Sequence, residues 1–205
     1  MSAAYVVLLP VKPPSRGKSR LEVDPVRRRA LAAAFALDTA RACLGAERVA
    51  AVLAVTDDAR FADDLRAVGC EVIPDGVADD LNESLRLAAA EARRRWPEAV
   101  PVAVCADLPA LRSRDLDAAL TSYDGVGRPA FVTDRAGVGT TMYAAPYDGF
   151  DPRFGPGSRE AHLRAGAREV GGELATLRHD VDDAEALAAA SGLGVGTSTR
   201  AVMSA

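Results

Sequence analysis

Glutamine is absent from this 205-residue chain, asparagine occurs only at Asn82, and histidine only at His162 and His179. Two imidazoles, so few and so far apart in sequence, give no ground to claim a histidine metal site or a catalytic triad. Cysteine is scarce as well: Cys43, Cys70 and Cys105 form an odd set, each in an apolar context. They read as reduced core thiols, which excludes a disulfide or zinc framework and fits a cytoplasmic protein. Long apolar runs are missing too. Met1 to Pro10 is apolar but too short for a membrane span and has no positive leader, so neither a signal peptide nor an anchor is expected. The formal net charge is −4 and the pI near 5.3, which argues against a nucleic-acid surface built to neutralise phosphates.

What is present starts with an anomaly of usage. Lysine and arginine total 25, yet lysine occurs only at Lys12 and Lys18, inside one short window. A chain that otherwise relies on arginine is placing compact ammonium groups together, as phosphate sites do. Hydrophobic residues make up 49% of the chain, enough for a packed core. The length suits a single domain over residues 1–205, with a Gly/Ser/Thr-rich tail from Gly192 expected to be mobile in part.

Apolar runs predict strands at Tyr5–Val11, Arg48–Val55, Cys70–Pro74 and Val102–Ala106, followed by Pro129–Thr133, Thr140–Ala144 and Leu174–Arg178. Between them, Asp24-Pro25 starts an Ala-rich helix running to about Ala46. Thr56–Asp58 start a second helix that Gly69 ends, Asp79–Trp96 is a third, and Ser113 caps a fourth. Arg153–Ser158 is a loop entering a short helix to about Ala167, and a last Ala-rich helix comes after Asp182. Strands and helices alternating in this way imply a three-layer α/β domain with a mostly parallel sheet.

Asp107 stands where an otherwise apolar strand stops, and Pro109 prevents further pairing. A carboxylate at the carboxyl end of a parallel strand faces the crevice where open α/β sheets bind ligands, although a turn or cap is the plainer alternative. Asp180 and Asp182, two apart on an extended chain, point the same way. With Asp107 they would repel one another unless a cation lay between, and magnesium suits carboxylates supplemented by phosphate oxygens and water. The alternative is that one of the pair caps the last helix. Lys12, Arg16, Lys18 and Arg20 come after the first strand, as a triphosphate seat or as a solvated basic loop. Gly17-Lys18-Ser19 imitates the end of a P-loop, but Lys12 stands where the first glycine belongs, which argues against a P-loop NTPase. Thr140, Thr141, Gly155 and Ser158 supply hydroxyls and flexible backbone suited to a carboxylate or phosphate, with plain helix capping as the alternative for Ser158. Asp75 and Asn82 carry the donor and acceptor atoms that a guanine edge requires, although Asn82 serves equally as a helix cap.

Taken in order, V-K-P-P-S-R-G-K-S-R-L, D-L-N-E-S-L, A-D-L-P-A-L, G-V-G-T-T, R-F-G-P-G-S and H-D-V-D resemble the phosphoenolpyruvate or 2-phospho-L-lactate guanylyltransferases. These enzymes make the activated precursor of the deazaflavin coenzyme F-420. The resemblance spans almost the whole chain and implies a nucleotidyltransferase fold similar to that of molybdopterin guanylyltransferases, with a magnesium site. It implies Asp107, Asp180 and Asp182 as metal ligands, and Thr140, Gly155 and Ser158 as the phosphoenolpyruvate site. Lys12, Lys18 and Arg20 would surround the triphosphate of GTP, and a downstream transferase would receive the product. Another nucleotidyltransferase of the molybdopterin guanylyltransferase kind, or a GTP-binding regulator without catalysis, are the competing readings.

Overall fold

The computed structural model describes residues 4–12, 21, 23–77, 79–124 and 127–205. Its centre is β1 (Tyr5–Pro10), whose first five residues are fully buried because the strand is covered on both faces. Alternation divides those residues between two layers. Val7 and Leu9 meet α1 (Pro25–Leu44), α2 (Ala59–Ala67) and α4 (Ser113–Tyr123), whereas Val6 and Leu8 meet α3 (Leu81–Arg95). Together with β2 (Val49–Val55), β3 (Glu71–Ile73), β4 (Val100–Val104), β5 (Ala130–Thr133), β6 (Thr140–Ala144) and β7 (Arg168–Glu169), it forms a seven-stranded sheet in the order β3-β2-β1-β4-β6-β5-β7. Among these strands only β6 runs against the rest, since it pairs antiparallel with both β4 and β5. The expected three-layer, mostly parallel architecture is therefore present.

The chain moves outward from β1 through β2 to β3, then returns to β1's other side as β4. Such a reversal opens a crevice at the carboxyl ends of β1 and β4, because the crossovers leave in opposite directions.

Local chemistry accounts for most boundaries. Asp24 caps α1 by accepting from the Val26 and Arg27 amides, both at 3.0 Å, and Pro25 fills the first turn. Asp58 and Asp80 cap α2 and α3 similarly. Ser113, in contrast, is not the cap of α4: it is the first helical residue, and its hydroxyl donates to the Ala42 carbonyl of α1 at 2.7 Å.

Two segments differ from expectation. Leu174–Arg178 is a turn, not a strand, because Leu174 and Leu177 are both buried and only a turn brings residues three apart to one side. The last strand is instead β7, which pairs with β5. The stretch from Gly192 contains helix α7 (Thr197–Ser204), which comes after α6 (Ala184–Leu193) and packs on α1. The buried Asp38 carboxylate of α1 caps α7 by accepting from the Ser198 and Thr199 amides at 3.0 and 2.8 Å.

Candidate active site

A cleft of about 330 Å³ lies in the crevice between β1 and β4, and Lys12, Asp107 and Asp182 all line it. Lys12 comes soon after β1 and is exposed, while Ala32 and Ala36 of α1 also line the cleft. Asp107 comes three residues after β4 and is half-buried. Its peptide is held by Thr39, a fully buried α1 residue. The Thr39 hydroxyl accepts from the Leu108 amide at 3.1 Å and donates to the Phe35 carbonyl at 2.8 Å, with the Ala106 carbonyl at 3.3 Å. Nothing in the sequence marked Thr39 except that it is a polar residue in an Ala-rich helix. Arg16, Lys18 and Arg20, the other cations of the expected triphosphate seat, lie outside the described residues.

The Val181 amide donates to the Asp107 carbonyl at 3.0 Å, which brings the segment carrying Asp180 and Asp182 against Asp107. The result is a concentration of negative charge. Burial, with the like charges of Asp107, Asp182 and Asp134, raises the Asp180 carboxyl to about 7. Crowded carboxylates of this kind favour a bound cation. They are not drawn into a finished coordination set: among the described residues, no group of three or more His, Cys, Asp or Glu side chains converges at metal-holding separation. Asp182, on the rim of this group, is exposed to solvent. The concentration of carboxylates fits a divalent cation.

The hydroxyl and glycine residues gather beyond β4. The amide of Cys105 donates to the Thr141 carbonyl at 2.9 Å, which ties the start of β6 to the end of β4. Pairing with β5 skips Thr141, since Val132 faces Met142 and Thr133 faces Thr140. Such a bulge re-aims the neighbouring side chains. Here it brings the Thr140 hydroxyl within 3.1 Å of His162 Nδ1. His162, on α5 (Ser158–Arg164), is 1% exposed and stacks on Tyr143 and Phe131 at 4.7 and 5.3 Å. Its Nε2 accepts from the Arg153 amide at 2.9 Å. That bond places the ring proton on Nδ1, which donates to Thr140 and leaves the Thr140 hydroxyl its own hydrogen for a ligand. Ser158 is buried as the first residue of α5, and it is Gly157, at φ +68°, that takes the cap position. Gly155 has φ +132°, a conformation that strongly favours glycine.

The expected guanine readers separate. The Asp75 amide donates to Asp57, and Asp75 Oδ1 is buried with no hydrogen-bond partner among the described residues. Asn82 is not the cap of α3, which is Asp80, and its amide is taken up by the backbone of Phe154: Nδ2 donates to the Phe154 carbonyl at 3.0 Å and Oδ1 accepts from the Phe154 amide at 2.7 Å. Neither residue lines the cleft that holds Lys12 and Asp107, although Leu81, beside Asn82, does.

Burial pushes the His162 pKa down to about 4, overriding the opposite influence of the Ser158 carbonyl; nearby Arg153 lowers it further and Asp151 raises it. The unfolded chain therefore takes up a proton near pH 6.5 that the folded protein refuses. Stability should be intact above that pH and fall between about pH 6.5 and 4, by roughly 2 kcal/mol for this residue. Urea midpoints of wild type and His162→Gln across this range check it. If the two lose stability in parallel, the imidazole contributes nothing to the pH dependence.

No family model matches the chain. It is 47% identical over 201 residues to the phosphoenolpyruvate guanylyltransferase of Thermomonospora curvata, covering 97% of this chain and 88% of the relative. The Streptomyces scabiei protein of the same name is 45% identical over 206 residues, with 96% and 94% covered. Among solved structures, CMP:2-keto-3-deoxy-manno-octonic acid synthetase complexed with CTP superposes at TM-score 0.59 and 17% identity, over 93% of this chain and 98% of that one. A Mycobacterium tuberculosis protein in complex with manganese gives TM-score 0.54 at 19% identity, over 92% and 98%. These distant likenesses show the nucleotidyltransferase fold.

Proposed function

The chain belongs to the phosphoenolpyruvate guanylyltransferase family and is a nucleotidyltransferase, and from its cleft we propose that it moves GMP from GTP to the phosphate of phosphoenolpyruvate, releasing pyrophosphate. The observation that carries this reading is the meeting of Lys12 with Asp107 and Asp182 in one crevice at the β1/β4 reversal. The relatives' name favours phosphoenolpyruvate over 2-phospho-L-lactate as acceptor. The product would be the activated precursor for coenzyme F-420, handed to a downstream transferase.

The acceptor needs no general base, because a phosphate monoester is largely dianionic at neutral pH, its second pKa being about 6. The obstacle is repulsion between two polyanions. The Lys12 ammonium, with Lys18 and Arg20 after it in sequence, would screen the triphosphate and hold the α-phosphorus facing the acceptor. Asp107, Asp180 and Asp182 would hold a magnesium ion, which when bound supplies charge neutralisation for the phosphates. Thr140 would donate its hydroxyl hydrogen to the acceptor, with Ser158 and the Gly155 backbone completing the seat. Asp75, whose buried carboxylate oxygen has no hydrogen-bond partner among the described residues, is the better candidate to accept from the N–H groups of guanine.

The test is pyrophosphate release from GTP and magnesium with phosphoenolpyruvate and 2-phospho-L-lactate supplied separately, and with a deazaflavin-accepting transferase present to draw off product. Release with phosphoenolpyruvate alone is expected. Measurable GTP binding without release would favour the regulator, and release only with another phosphorylated acceptor a different transferase. Ser158→Ala should raise the acceptor KM about tenfold and change kcat less than about threefold, since one hydrogen bond to a charged ligand is removed from binding. An unchanged acceptor KM would take Ser158 out of the seat.

A further inference from the structure

We infer that Asn82 and His162 are positioning residues that together clamp the Arg153–Phe154 backbone and so set the geometry of the acceptor seat at Gly155–Ser158. The inference rests on the acceptor site proposed above. Two successive amides in a segment without regular secondary structure are both taken by side chains from elsewhere: Arg153 N–H by His162 at 2.9 Å, and Phe154 N–H by Asn82 at 2.7 Å. Asn82 also returns a bond to the Phe154 carbonyl at 3.0 Å, so both backbone polar groups of Phe154 are gripped by a residue 72 positions earlier.

The grip matters because the next turn of chain is intrinsically loose. Gly155 and Gly157 both have positive φ, and glycine at such positions leaves the backbone many alternatives. The seat is therefore held from its flanks. At the far flank, the Arg159 amide donates to the Val138 carbonyl at 3.2 Å. At the near flank, Asn82 and His162 hold the backbone, and the Phe154 ring meets the His162 ring edge-on at 5.8 Å. His162 then joins this flank to Thr140, so one buried imidazole fixes the spacing between two elements of the seat. Asn82, beside a residue of the Lys12 cleft, links the same segment to the side where the nucleotide would lie. This assigns Asn82 a different task from reading the guanine edge.

The test uses Asn82→Ala and His162→Leu in the full chain, each confirmed as folded by circular dichroism. In ligand-free protein, amide hydrogen exchange over 153–155 should quicken at least about tenfold in both variants, with α4 unchanged. In turnover, both should raise the phosphoenolpyruvate KM about tenfold, corresponding to one lost positioning bond, while the GTP KM and the preference for GTP over ATP stay at wild-type values. A guanine-reading Asn82 would do the reverse, losing GTP preference with an unchanged acceptor KM, and that result overturns the proposal. Unaltered exchange at 153–155 overturns it too. Absence of turnover in the wild type with GTP and phosphoenolpyruvate would count against the proposed reaction, not the clamp, which the exchange measurement decides separately. Should His162→Leu fail to fold, Asn82→Ala carries both measurements alone.

Discussion

Asp107→Ala should lose at least about a thousandfold in turnover while its unfolding free energy stays within about 1 kcal/mol of wild type. The large loss comes from position. Asp107 lies in the crevice itself, with its flanking peptide fixed by Thr39 and its carbonyl tied to Val181. A carboxylate on so firmly held a backbone, beside Asp180 and Asp182, suits the proposed role of presenting a cation to the triphosphate. The small stability effect comes from electrostatics, since deleting one of several crowded negative charges relieves repulsion on Asp180. Asp107→Asn makes the test sharper by keeping shape and removing charge. Both variants should be inactive in single-turnover pyrophosphate release at saturating magnesium. Near-normal turnover in either would overturn the proposed assignment of Asp107 as a metal ligand.

Asp38→Ala should cost about 3 kcal/mol, the low end of what losing two hydrogen bonds to one buried charge implies. The Asp38 carboxylate accepts from the amides of the second and third residues of α7 and receives Arg41 at 3.3 Å. Gly196 lies directly against that carboxylate, where a β-carbon would have no room. An eight-residue helix is not stable alone, so α7 depends on this cap and on its contact with α1. Without the carboxylate, two amides lose their partner and the helix loses its anchor. In a domain of this size the melting temperature should fall by roughly 10 °C. Gly196→Ala should act in the same direction by displacing the carboxylate. A loss under about 0.5 kcal/mol in Asp38→Ala would mean that packing alone retains α7.

The crevice was legible in the sequence because its parts are local. An apolar run followed by Lys12, and another followed by Asp107, need only the rule that parallel strands present their carboxyl ends together. Asp24-Pro25 marked α1 for the same reason, as cap and first turn are neighbours in sequence. Chemistry carried across the chain escaped. Asp38 reads as one more polar residue of a helix until Ser198 and Thr199 are placed on it. Thr39 acquires its role only from Leu108, 69 residues later. Asn82 attracted notice for its rarity, but periodicity could not assign its partner, Phe154. The Leu174–Arg178 segment misled because its two leucines sit in an apolar-looking stretch whose spacing fits a turn better than a strand, and the Arg178 guanidinium donates to the Thr133 and Val170 carbonyls beside it.

The sheet's outermost strands are short: β3 has three residues and β7 only two. A strand at the margin of a sheet is a template on which another molecule can add its own backbone, and long flat margins invite that growth. Here each margin offers a brief ladder and carries charge, Glu71 on one side and Arg168 with Glu169 on the other. A second copy laid along either would gain few interstrand bonds while confronting ionised side chains. Concentrated solutions of the protein should accordingly resist fibrous aggregation by strand addition, although the inner strands are strongly apolar.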